Sequence, residues 1–193
     1  MTGHRREASW QVPPNAPDNL VFSLMRILGL DPGIRCTGYG LIAVHSREPT
    51  LVDYGTITPP PDATMGERLA VLYDDLAQLI DMTKPDELAI EATFYGINVK
   101  SALILGQAKG VALLCAAHHR LPAAEYAPRK VKLATTGNGR AAKEQVQYMV
   151  QRILNMDHPP QPMDASDALA VAICHHQQRR LAGVGLSAKI PGA

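Results

Sequence analysis

At 193 residues, with 46% hydrophobic and 19% charged side chains and a net charge of +1, the chain is long enough for one domain with a substantial core and too short for two ordinary ones. That composition excludes a fibrous or disordered protein, and no uninterrupted apolar run reaches the roughly 18 to 20 residues of a membrane span. The three cysteines, Cys36, Cys115 and Cys174, lie far apart without disulfide or metal-ligand spacing and read as buried free thiols in a reducing cytoplasm.

Residues 1–24 carry Arg5 and Arg6 but no apolar stretch of the kind a secretory signal needs, so export is not expected. With Pro13, Pro14 and Pro17 and no periodicity, this segment reads as a flexible leader, and Met25 is an alternative start. One domain is expected over 25–182, followed by a loose tail, 183–193. Arg26 to Leu30 reads as a short buried strand that Asp31-Pro32-Gly33 breaks. Tyr39 to His45 and Leu51 to Thr58 complete an antiparallel meander. From Thr64, Met65, Leu69, Leu72, Leu76 and Leu79 recur at helical steps, and Thr64 with Glu67 fits a capping box. Glu87 to Glu91 returns to the sheet, and a strand, helix and strand in that order imply a parallel pairing, hence a mixed sheet.

Ser101 to His119 is helical and apolar nearly all round, which predicts a helix shared between the core and a second copy of the chain in a homodimer. Ala123 to Tyr126 reads as a fifth strand and Arg129 to Ala134 as a basic helix. Thr136 to Arg140 reads as a flexible loop. Helices over Ala141 to Leu154 and Asp164 to Arg180 follow, separated by Pro159, Pro160 and Pro162.

Charge is segregated along the chain. Residues 53 to 91 hold nine acids against Arg68 and Lys84, whereas residues 100 to 152 hold nine basic residues against Glu125 and Glu144. Such a distribution gives either solvated helix surface or a basic face that attracts phosphates.

Four acids carry the functional argument. Asp31 ends the apolar run Ile27-Leu28-Gly29-Leu30, Glu91 ends Leu88-Ala89-Ile90, and Asp164 and Asp167 open an apolar helix three residues apart, on one face. Two carboxylates about 4 Å apart repel by roughly 4 kcal/mol at an effective dielectric of 20, so such a cluster calls for cations. Oxygen-only ligands favour Mg²⁺ or Mn²⁺, and two such ions with a basic face suit phosphodiester hydrolysis. Singly, each acid has a plainer reading: Asp164 as a helix cap, Asp167 as a dipole partner, Asp31 as a turn residue, Glu91 as a surface acid. Jointly those readings require four coincidences.

At these residues the chain resembles the RuvC family of Holliday-junction resolvases. The similarity rests on Ile27-Leu28-Gly29-Leu30-Asp31-Pro32-Gly33 with Thr37-Gly38-Tyr39-Gly40, on Ala89-Ile90-Glu91, on Ser101-Ala102-Leu103 with Leu105-Gly106-Gln107-Ala108, and on Asp164-Ala165-Ser166-Asp167-Ala168-Leu169-Ala170. It spans about residues 25 to 178. The resemblance implies a ribonuclease H-like α/β fold whose five-stranded mixed sheet, three antiparallel strands then parallel additions, is flanked by helices. It also implies a dimeric, metal-dependent endonuclease that makes paired symmetric nicks in four-way DNA junctions, in recombination and repair. The family's catalytic, metal-holding acids fall on Asp31, Glu91, Asp164 and Asp167, with two Mg²⁺ or Mn²⁺ ions per site. Its phosphate-contacting lysines fall on Lys132 and on Lys143, which is also counted as catalytic; Arg129, Lys130 and Arg140 lie beside them as further DNA contacts. An aromatic residue matching Phe94, beside Tyr95, stacks on unpaired bases in the family, although Phe94 has core packing as its plainer reading. Branch-migration proteins of the RuvA and RuvB type are implied as partners, no membrane is, and the location is cytoplasmic.

The stretch Asp31-x-Gly33-x-x-x-Thr37-Gly38 also fits the phosphate loop of sugar-kinase, actin and Hsp70-like ATPases. That class needs a second phosphate loop and an adenosine site, which a chain of this length does not hold. A non-enzymatic nucleic-acid-binding module would use the basic segment and leave the four acids unexplained.

Overall fold

A computed structural model describes residues 24–45, 47–92 and 99–183. The leader and tail expected at 1–24 and 183–193 lie almost wholly outside them. Three antiparallel strands open the fold, β1 (Met25–Asp31), β2 (Thr37–His45) and β3 (Glu48–Ile57). Helix α1 (Met65–Thr83) crosses to β4 (Glu87–Glu91), and α2 (Val99–His118) crosses to β5 (Ala123–Tyr126). The chain closes with α3 (Pro128–Thr136), α4 (Lys143–Ile153) and α5 (Met163–Gly183). The sheet order is β3-β2-β1-β4-β5, with β4 parallel to both β1 and β5. This is the mixed sheet expected from the sequence.

Side chains alternate across a strand, so the continuous apolar runs of β1 and β4 bury both faces. Leu28, Leu30, Leu88 and Ile90 meet Leu72, Leu76, Ala108 and Ala112 of α1 and α2 on one side. Ile27, Ile42 and Ala89 meet Leu169, Ala172 and Ile173 of α5 on the other, with α3 and α4 adding Val131, Val146 and Val150. The capping box holds: Glu67 N donates to Thr64 Oγ1 at 3.4 Å and Thr64 N to Glu67 Oε2 at 2.7 Å.

Several boundaries differ from the sequence reading. The strands extend past their apolar cores because backbone ladders continue through Asp31↔Gly38 and His45↔Glu48. Helix α3 starts at Pro128, whose missing N–H and fixed φ suit a first helical position. Helix α4 starts two residues later than expected because Ala142 is extended, with Gln145 Oε1 accepting its N–H at 2.9 Å. Against the expectation that no segment is apolar enough over a membrane-spanning length, α2 is, by length and a mean hydropathy of 1.4, apolar enough to cross a bilayer. In this fold it instead packs Ala108, Ala112, Cys115 and Ala116 onto the sheet and leaves Val99, Leu103 and Leu114 exposed.

Candidate active site

The register decides which acids meet. Ile27 and Gly29 face α5, so two-residue periodicity turns Asp31 to that face as well. On β4, Ala89 and Glu91 share it for the same reason. Leu30 pairs with Ile90 in the parallel ladder, which sets Asp31 and Glu91 side by side at the ends of strands about 4.8 Å apart. Both are partly buried at the sheet's rim.

Helix α5 lies across this face on a bed of glycines. A Cβ added to Gly38 would overlap the backbone carbonyl of Asp164; one on Gly29 would overlap the carbonyl of Ala168 and sit 2.8 Å from Ala172 N; one on Gly40 would sit 2.6 Å from Leu169 Cγ. Because α5 begins at Met163, Asp164 lies inside the first turn rather than at the cap, which removes helix capping as its explanation. Asp164 and Asp167 are thereby delivered to the end of the sheet that carries Asp31 and Glu91.

The electrostatics record the crowding. The Asp31 carboxyl is pushed up to about 8, by burial first and then by Glu91, Asp167 and Asp164, with the Lys143 ammonium pulling the other way. Burial and then Asp167 raise Glu91 too, while a hydrogen bond with Asp31 and the charges of Lys143 and Lys132 oppose the rise. Burial and like charge thus favour the protonated form at the Asp31–Glu91 pair. Lys143 Nζ donates to Asp167 Oδ2 at 2.7 Å, and that bond is the main reason its ammonium is stabilised. Among the described residues no three acid, imidazole or thiol groups already close around one point as metal ligands. An excess of partly buried negative charge, countered only in part by Lys143 and Lys132, is the condition that divalent cations relieve, and the all-oxygen donor set fits Mg²⁺ or Mn²⁺.

Of the remaining sequence-predicted residues, Lys132 is half-buried on α3 near enough to Glu91 to act on its titration. Lys130 Nζ lies 5.5 Å from the centroid of the Tyr126 ring. Arg129 and Arg140 are exposed. Phe94 and Tyr95 lie outside the described residues. The expected flexible loop from Thr136 to Arg140 is instead a hydrogen-bonded turn: Gly137 takes φ 75°, Asn138 N donates to Thr136 Oγ1 at 3.1 Å, and Arg140 N donates to Asn138 Oδ1 at 3.0 Å. Cys115 and Cys174 are buried, but Cys36 is only half-buried, because it follows the turn after β1; burial and the nearby Asp164 raise its thiol pKa. A concavity of about 420 Å³ lined by Asn138, Gln145 and Tyr148 among others touches none of the four acids. The acids instead occupy an open rim.

Sequence reasoning passed over three features. Gly38 appears there only as part of a motif. His175, buried in α5, is bonded through Nδ1 to Tyr126 Oη at 2.7 Å and through Nε2 to Glu87, which also meets Arg179; burial lowers its pKa to about 4. Ser166, between the two α5 acids, is fully buried with its hydroxyl unpartnered. Only the polar character of Ser166 and His175 within an apolar helix signalled either one.

Comparison with known proteins points to one family. Residues 27–175 match the family model described as crossover junction endodeoxyribonuclease RuvC. A crossover junction endodeoxyribonuclease RuvC from Dehalococcoides mccartyi is 50% identical over 160 residues, which cover 83% of this chain and 96% of the relative. Among solved structures, Thermus thermophilus RuvC in complex with Holliday junction substrate superposes with a TM-score of 0.76 at 31% identity, covering 84% of this chain and 97% of that one. A second Thermus thermophilus RuvC structure gives a TM-score of 0.74 at 30% identity, covering 84% and 98%.

Proposed function

The chain belongs to the RuvC family of crossover junction endodeoxyribonucleases, and from that membership we propose that it resolves four-way DNA junctions by paired, symmetric nicks through two-metal-ion hydrolysis. The observation that carries the reading is the partly buried, mutually repelling group of Asp31, Glu91, Asp164 and Asp167 with the Lys143 ammonium against it. These four acids would hold the ions, Mg²⁺ or Mn²⁺, two per site. Bound there, such ions would supply Lewis-acid chemistry for water activation and for charge stabilisation at the scissile phosphate.

The chain's own residues do the rest. The four carboxylates fix the ligand frame through the sheet end and the first turn of α5. Lys143, at the first position of α4, is counted as catalytic: its ammonium, held at the rim by Asp167, would bind a phosphate oxygen presented there. Lys132 adds positive charge on the Glu91 side, and Arg129, Lys130 and Arg140 extend the basic track for the backbone of the junction arms. Phe94 and Tyr95, following Glu91 in the chain, stack on bases unpaired at the junction centre.

Paired nicks call for two sites related by two-fold symmetry. Helix α2 supports a homodimer: Val99, Leu103 and Leu114 are 74%, 66% and 51% exposed and fall on one helical face with Gly106 and Gly110. A Cβ on either glycine would meet nothing within 4 Å, so a second α2 has room to approach closely. Branch-migration proteins of the RuvA and RuvB type would deliver the junction, in the cytoplasm.

The test is cleavage of a synthetic four-way junction. Symmetric nicking with Mg²⁺ or Mn²⁺, none in EDTA, and an Asp31→Asn chain that binds the junction without cutting it are expected. Equal loss of binding and cutting in Asp31→Asn would assign Asp31 to the fold instead.

A further inference from the structure

We propose that Gly38 is a positioning residue for the nuclease reaction: by lacking a side chain it sets how deeply α5 seats on the sheet, and so the separation of Asp164 and Asp167 from Asp31 and Glu91. The inference rests on the reading of those four acids as the metal-holding set.

Gly38 is the cross-strand partner of Asp31, and residues paired in this way point to the same face of a sheet. The space in which a Gly38 side chain would stand is therefore next to the Asp31 carboxyl. That space is filled by the backbone of α5 at the residue bearing another of the four acids: a methyl at position 38 would overlap the carbonyl group of Asp164 and touch Ala165 N at 3.0 Å. The obstacle is main chain in a helix rather than the end of a rotatable side chain. No rotamer change relieves it.

Because β2 is hydrogen-bonded on both sides, to β1 and to β3, relief falls on the first turn of α5, which lifts by about 1 Å from the overlap at Asp164 and carries Asp164 and Asp167 away from the sheet. Farther along, α5 is fixed by its buried contacts through Leu169, Ala172 and Ile173 and by the bond of His175 to Tyr126. The displacement is therefore concentrated at the acid-bearing end. Mg²⁺ demands near-ideal octahedral geometry with ligands at about 2.0 to 2.1 Å, and misplacement of a reacting group by about 1 Å can lower a rate by roughly a hundredfold. Glycine at position 38 is required for ligand spacing even though its own backbone has an ordinary extended conformation.

Gly38→Ala in the full chain tests this beside Ile173→Ala, which removes buried volume from the same helix without pushing on it, and Asp31→Asn. The readouts are thermal unfolding, junction binding in EDTA, Mn²⁺ affinity by titration calorimetry, and cleavage rate against Mg²⁺ and Mn²⁺ concentration. In Gly38→Ala, junction binding is expected to stay within twofold, the metal concentration for half-maximal cutting to rise at least tenfold, and the loss to be larger with Mg²⁺ than with Mn²⁺. Ile173→Ala is expected to lower the unfolding temperature with an unchanged metal midpoint. A Gly38→Ala midpoint within twofold of the parent overturns the proposal. So does a Gly38→Ala chain that fails to fold where Ile173→Ala folds, since residue 38 would then serve folding at large. If Asp31→Asn binds Mn²⁺ as the parent does, the metal-site reading itself fails, an outcome separate from an unmoved Gly38→Ala midpoint beside an Asp31→Asn chain that has lost the metal.

Discussion

Replacing Asp31 by Asn is expected to stabilise the metal-free protein while removing its activity, and the gain should depend on pH in a specified direction. In the fold the Asp31 carboxyl titrates at about 8 against a reference of 3.8. Because the folded value is the higher one, the unfolded chain releases this proton first, and stability falls as pH climbs from about 4 through about 8. Neutral pH lies roughly three units above the reference, and each unit is worth about 1.4 kcal/mol. The ceiling at pH 7 is therefore about 4 kcal/mol. Asp31 is only partly buried, so solvent screening reduces the expected figure to about 2 to 3 kcal/mol.

The carboxamide has no proton to release and keeps nearly the same shape. At roughly 2 to 4 °C per kcal/mol for a chain of this size, Asp31→Asn should melt about 5 to 10 °C above the parent at pH 7.5 in EDTA. The gap should shrink toward zero near pH 4. Saturating Mg²⁺ should raise the parent's melting temperature and leave that of Asp31→Asn nearly unmoved. Scanning calorimetry from pH 4 to 9 measures all of this, and parallel curves for the two proteins, with no gap that widens with pH, would refute the account of the acid cluster.

Lys143→Ala is expected to slow cleavage by at least tenfold and to flatten the slope of log affinity against log salt by about 1, read by fluorescence anisotropy across a salt series. Ser166→Ala removes a buried hydroxyl that has no partner and should raise stability by roughly 1 kcal/mol in urea titrations; a loss of that size would mean the hydroxyl is bonded after all. Leu103→Glu places a charge on the exposed apolar face of α2 and should convert a dimer to a monomer in sedimentation, with paired nicks replaced by single, uncoordinated ones.

The order of elements was legible because each is strongly patterned: leucines at helical steps in α1, short apolar runs ended by acids in β1 and β4. The acids themselves stood out by interrupting those runs. What the sequence left open was register, since nothing in Ile27-Leu28-Gly29-Leu30 states that Leu30 pairs with Ile90 rather than with a residue two places away. Gly29, Gly38 and Gly40 were opaque for a related reason: a glycine in a strand signals close approach or a bend, and only the docked helix says which. The Thr136 to Arg140 segment misled because Thr, Gly and Asn suit flexible loops and closed turns alike. His175 went unnoticed because its partners, Glu87 and Tyr126, are distant in the chain.

Helix α2 starts only eight residues after Glu91. In the proposed dimer, the exposed face that pairs the two copies thus belongs to the element that directly follows one of the acids. Twenty residues of helix make a stiff rod about 30 Å long, and the crossing of two such rods sets how far apart the two sets of acids stand. In such a dimer the enzyme would function as a pair of calipers: the distance between cuts would be built into its own frame, and the junction would have to open to that gauge before both strands came within reach.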